Sequence, residues 1–72
     1  MQLGMLWLDT DKKRSLEEKV ERAAEYYKDK YGRLPELCLV HANMLSQEKK
    51  IGRIKIQPTN AIVHNHFWLG SA

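Results

Sequence analysis

Apolar positions along this chain follow three patterns, and each pattern predicts an element. Between Leu16 and Tyr31 they recur at steps of three or four: Leu16, Val20, Ala23, Ala24, Tyr27 and Tyr31. That spacing puts them on one face of an α-helix, opposite a charged face carrying Glu17, Glu18, Glu21, Arg22, Glu25, Lys28 and Asp29. The ends are marked as well. Ser15 and Glu18 form the S-x-x-E pattern of a capping box, in which each side chain can bond the other's free backbone N–H. Lys28 and Lys30 stand in the last turn, where cations suit the helix dipole. Gly32 is the expected residue after the helix, and Pro35 prevents its continuation.

The second pattern is the short apolar run. Leu3 to Leu8 reads as a strand ended by Asp9-Thr10-Asp11, and Glu36 to Ala42 reads as another. Leu37, Cys38, Leu39 and Val40 are apolar in succession, which predicts a central or parallel strand with both faces covered. The third pattern is alternation. Ile54 and Ile56 point one way and Arg53 and Lys55 the other in a strand over Ile51 to Gln57. Asn43 to Lys50 is polar and reads as a loop. Pro58-Thr59-Asn60 reads as a turn. Ala61 to Leu69 reads as a fourth strand, forming a hairpin with the third.

The order is β-α-β-β-β. Strand, helix and strand imply a right-handed parallel crossover, and a terminal hairpin extends the sheet in the antiparallel sense. The expected fold is therefore α+β, with two layers and one helix packed on a four-stranded mixed sheet. The chain is one small domain over residues 1–72. If Met5 is the true start, residues 1–4 are a dispensable extension, and residues 70–72 form a tail.

Composition narrows this picture. Seventy-two residues, 43% hydrophobic and 29% charged, allow one globular domain with a thin stability margin. Domains this small are often stapled by disulfides, a metal or a second copy. The single cysteine, Cys38, cannot pair within the chain, and a lone thiol suits a reducing compartment. The first residues lack the basic n-region and cleavage site of a secretory signal, so the expected location is cytoplasmic. No stretch approaches the roughly 20 apolar residues of a membrane span.

The size limit yields the main functional expectation. One helix covers one face of a sheet. Met5, Trp7, Cys38, Val40, Phe67 and Trp68 are expected to leave apolar side chains pointing both ways, and an apolar sheet face open to water usually marks an interface. The leading expectation is a non-enzymatic interaction module, a homodimer or one half of a protein complex, with Trp7, Val40 and Trp68 at the contact. Trp combines a large area with a polar handle and is favoured at interfaces.

The runner-up expectation is nucleic acid. The net charge is +3, and five bases stand against two acids between Gly32 and Gln57. If the expected hairpin aligns Arg53 and Lys55 with His64, His66 and Trp68, a basic face with an aromatic on it results, able to bind phosphates and stack bases. A third expectation is a metal site. Cys38, His41, His64 and His66 are zinc-ligand types in the right number. However, Cys38 and His41 are three apart and face opposite ways on a continuous strand, so no metal or other cofactor is assigned. Pairing Cys38 with His41 as nucleophile and base has no electropositive pocket to support it.

Asp9-Thr10-Asp11 resembles the D-x-D of haloacid-dehalogenase-type phosphotransferases, at the strand end where ligands of βα units bind. Lys13 stands where that family favours Thr or Val, and no downstream acidic pair follows. The expected role is a strand-end turn with Asx-type hydrogen bonds, and no residue is assigned a catalytic part. Met5-Leu6-Trp7-Leu8-Asp9 and Asn65-His66-Phe67-Trp68-Leu69-Gly70, with the helix between them, make the chain similar to a group of small uncharacterised bacterial proteins. That resemblance implies a shared fold and no activity.

Overall fold

The computed structural model describes residues 4–71. The remaining residues of the expected extension, 1–3, and the last residue of the tail lie outside the described residues. The order of elements is β1 (Gly4–Leu8), α1 (Leu16–Tyr31), β2 (Leu37–His41), β3 (Lys49–Ile51), β4 (Ile54–Thr59) and β5 (His66–Gly70). One helix packs on a mixed open sheet, an α+β architecture. The sheet has five strands rather than the expected four, in the order β1-β5-β2-β4-β3.

The helix forms where its local signals place it. Ser15 Oγ accepts the Glu18 N–H at 3.2 Å, and the Glu18 carboxylate accepts the Ser15 N–H at 3.1 Å, completing the capping box. At the other end Gly32 takes φ 83°, and its N–H donates to the Lys28 carbonyl at 2.7 Å. Left-handed backbone of this kind favours glycine because no Cβ meets the carbonyl. Val20, Ala23, Ala24 and Tyr27 are buried against the sheet, with Leu16 and Tyr31 partly buried at the ends. Ala23 and Ala24 are short, so the helix can sit close to β5.

Pairing in the sheet departs from the expected hairpin. β3 and β4 are the hairpin, with Lys49 opposite Ile56 and Ile51 opposite Ile54. Its two-residue turn is Gly52-Arg53, with Gly52 at φ 57°. The expected third strand therefore contains the turn. β5 does not pair with β4. It runs antiparallel between β1 and β2, so that β1 and β2 are parallel to each other with one strand between them. β2 and β4 form the one parallel pair.

Three boundary expectations are corrected with this pairing. Residues 61–65 are loop, so β5 starts at His66 and runs on to Gly70, which was expected in the tail. Gly4, expected in a dispensable extension, is paired with Gly70 at the start of β1. Pro58, expected in a turn, lies in β4 opposite Val40. The Lys55 N–H donates to β2's neighbour Glu36, so alternation turns position 58 toward the β3 side, beyond the last β3–β4 pair. No ladder bond is lost there, which is why a proline is tolerated.

The core lies between α1 and one sheet face. Cys38, Val40, Ile54, Ile56, Phe67 and Leu69 join the four buried apolar residues of the helix, and Met5, Trp7 and Ile51 pack at its edges. Met44 and Leu45, in the segment expected to be polar loop, also pack against it. On the same side Lys49 pairs with Glu17 of the helix.

Candidate functional site

Residues directly opposite in neighbouring strands share a face of the sheet. Following the register across the strands gives the face away from the helix. One row reads Leu6, Trp68, Leu39, Gln57. The next reads Gly4, Gly70, Leu37, Lys55, Lys50. Beyond the first row, Leu8 opposes His66 and His41 opposes Thr59. No element among the described residues covers this face. Leu6 is 61% exposed and Leu8 57% exposed, while Leu37, Leu39 and Trp68 are half-buried.

The face is graded. Its β1-β5-β2 part is apolar, centred on Trp68, whose indole lies against Gly4. Its β4-β3 part is polar and cationic, with Lys50 directly opposite Lys55. Glu48 borders that part, accepting a hydrogen bond from Gln57 at 3.0 Å and standing 3.9 Å from the Lys55 ammonium. His41 and His66 lie toward the end of the face near Leu8.

The contact residues expected from sequence divide between the two sides. Trp68 is on the open face. Val40 is fully buried beneath the helix. Trp7 opposes Phe67 on the helix side and stacks on Tyr26 with ring centroids 4.5 Å apart. Met5, Cys38 and Phe67 share that side, so of the six residues expected to point both ways only Trp68 faces outward. The physical reason is register: Met5, Trp7, Phe67, Cys38 and Val40 all fall on one parity once β5 is placed between β1 and β2. The apolar content of the open face comes instead from Leu6, Leu8, Leu37 and Leu39. Their signal was the alternation with Trp7 and Val40, readable only with the strand order in hand.

The basic cluster also divides. Lys55, His66 and Trp68 share the open face, with β2 between Lys55 and the other two. Arg53 is in the β3–β4 turn. It lines a separate groove of about 750 Å³ at the C-terminal end of the helix, together with Lys28, Arg33, Leu34 and Glu36. His64 is in the loop before β5, its ring 6.0 Å from that of His41. The His41 Nδ1 accepts the Asn43 N–H at 3.0 Å.

Cys38 is buried on the helix side, away from all three histidines, so the four candidate metal ligands are not gathered at one point. Among the described residues no group of three or more His, Cys, Asp or Glu is placed to hold a metal ion. Burial pushes the Cys38 thiol up from 9.0 to about 12, because the thiolate loses hydration there. Asp9 is buried at the end of β1. Its Oδ1 accepts the Asp11 N–H at 3.0 Å and lies 3.5 Å from the Arg14 guanidinium, while Asp11 accepts the Lys13 N–H at 2.8 Å. Asp9-Thr10-Asp11 is thus an Asx-type turn closed by Arg14.

No family model, curated protein or solved structure matches the chain. No helix among the described residues is long and apolar enough to cross a membrane.

Proposed function

We propose that this protein is a non-enzymatic interaction module whose helix-free sheet face is covered by another protein surface, either a second copy or a different protein. The observation that carries the reading is the row Leu6, Trp68, Leu39, three large apolar side chains on adjacent strands with no element among the described residues over them. Burying such a row stabilises a complex by roughly 25 cal/mol for each Å² of apolar surface removed from water. Gln57, Thr59 and Lys55 on β4 give the patch a polar border on one side, as polar residues flank the apolar centre of a specific interface. The test is sedimentation velocity across a concentration series, with amide NMR shifts followed at Leu37, Leu39 and Trp68. Concentration-dependent association with shifts on this face supports the reading. A strict monomer whose open face also fails to bind an apolar dye overturns it.

A second reading rests on Lys50 opposing Lys55 on the same face as Trp68. Like charges directly opposed repel, and a phosphate between them relieves that repulsion. Binding of a single-stranded oligonucleotide that weakens with salt and shifts the signals of Lys50, Lys55 and Trp68 supports it. No binding at low salt removes it.

A further inference from the structure

The two edges of the sheet differ in kind. β3 is three residues long and carries Lys49 and Lys50, the short charged form with which proteins block edge-to-edge pairing. β1 is five residues long, Gly-Met-Leu-Trp-Leu, with no charge and no proline. Among the described residues it pairs only with β5. Its backbone parity is fixed by the Asp9 N–H, which donates to the Asn65 carbonyl at 3.0 Å and continues the β1–β5 register. Bonded pairs alternate in an antiparallel ladder, so Met5 and Trp7 bond inward to β5. Gly4, Leu6 and Leu8 therefore turn their N–H and C=O groups to the open edge. One of these groups, the Gly4 carbonyl, accepts the Tyr31 hydroxyl at 3.4 Å and keeps a second lone pair. Exposed apolar side chains flank the edge on both sides: Leu6 and Leu8 on the open face, and Tyr26, 52% exposed, against Trp7 on the helix side.

The geometry points to a second copy of this chain as the occupant of that edge, with the two β1 strands paired antiparallel about a twofold axis at Leu6. This goes beyond the interaction-module reading: the contact is the β1 edge, and the helix-free face stays open for the surface proposed above. The strand is complementary to itself. Leu6 meets Leu6 of the partner subunit, Gly4 meets the partner's Leu8, and Met5 meets the partner's Trp7. The outward groups of Gly4, Leu6 and Leu8 then all find partners, giving about six backbone hydrogen bonds. No side chain on either strand meets a charge. Both helices fall on the same side, roughly 14 Å apart at three strand spacings, a gap that Tyr26 and Arg22 from each copy can fill. Arg22, Glu25 and Asp29 beside Tyr26 carry both signs, so the helices do not repel as a block. The joined sheet presents one continuous open face with two copies of the Leu6, Trp68, Leu39 row.

The test compares the full chain with Leu6→Pro, Leu6→Lys and Leu39→Lys by sedimentation equilibrium from about 10 to 500 µM, a range suited to a small interface. Leu6→Pro removes one outward N–H and leaves the β5 ladder intact. Leu6→Lys sets two like charges at the axis. The expected result is a dimer for the wild type and Leu39→Lys, and at least a tenfold weaker dimer for both Leu6 variants. Hydrogen exchange gives an independent readout that needs no variant. The Leu6 and Leu8 amides gain protection as concentration rises, while those of Met5 and Trp7 are protected throughout. A wild type that stays monomeric, or dimers that survive both Leu6 substitutions, overturns the inference. Dimers lost in Leu39→Lys but kept in Leu6→Pro overturn the edge and leave the open face as the contact.

Discussion

The indole of Trp68 lies on the α-carbon of Gly4, close enough that a Cβ at position 4 would stand 2.3 Å from two of its ring carbons. The glycine makes room for the ring, and the ring covers backbone that would otherwise lose its shield, the same device by which aromatics rescue edge glycines. Gly4→Ala must push the indole off the sheet. We expect a loss of about 1–3 kcal/mol in chemical denaturation, in the range for overpacking. We also expect a red shift of Trp68 emission, read in a Trp7→Phe background so that one tryptophan reports. Unchanged stability and emission would show that the ring does not rest there in solution.

Trp7 offers the opposite case. Its indole N–H is buried without a hydrogen-bond partner, the one such side-chain atom among the described residues. A buried unpaired donor costs about 1–3 kcal/mol. Trp7→Phe gives up contact area with Tyr26 but removes that donor. The two effects oppose, so the net change is expected to stay within about 1 kcal/mol. A much larger loss would mean that the N–H has a partner in solution.

Position relative to the helix decides the cost of truncating an apolar residue. Phe67 is fully buried between β1, β2 and the helix, whereas Leu39 stands half-buried on the open face. Phe67→Ala is expected to cost about 3–5 kcal/mol. That is a large part of the roughly 4–11 kcal/mol available to a domain of this size. Leu39→Ala in the monomer is expected to cost about 1 kcal/mol. Equal losses at the two positions would mean that the open face is covered within the monomer.

The buried thiol of Cys38 makes stability fall at high pH. Its pKa is 9.0 when solvated and about 12 when folded. Above 9.0 the unfolded chain sheds this proton first, so it binds fewer protons than the folded chain and the slope of stability with pH is negative. The contribution is flat below 9.0 and declines by up to about 1.4 kcal/mol per pH unit between there and about 12. Cys38→Ala lacks this decline, so the difference between the two pH profiles isolates the contribution of this thiol. At neutral pH the native thiol is expected to resist alkylation until denaturant is added. Rapid alkylation of native protein would contradict its burial.

Legibility in the sequence followed the range of the interactions. Ser15, Glu18 and Gly32 act within one helical turn, so the cap and the stop were readable from neighbours alone. Gly52-Arg53 was also a local signal, a two-residue turn between Ile51 and Ile54. It was hidden by the alternation of Arg53 with Lys55, which suggested a longer strand. The expected site fared less well. Trp68 lies on the helix-free face, whereas Val40 and Trp7, expected with it at a contact, lie under the helix.

The sequence by itself determined the α+β class, the one helix and its buried stripe, and the Asx turn after the first strand. Each depends on spacings of a few residues, set by backbone hydrogen bonding and side-chain period. Only the tertiary structure decided that β5 enters between β1 and β2. That one placement sets the relative parity of β1, β5 and β2 at once, sends Val40 and Trp7 to the core, brings Leu6, Trp68 and Leu39 into a row, and leaves β1 at the edge. Strand pairing joins residues more than 60 positions apart, as Gly4 and Gly70 show, and no local pattern records which of several compatible strands will be the neighbour. The helix-free face, with its row of Leu6, Trp68 and Leu39, was therefore written in the residues but selected by the topology.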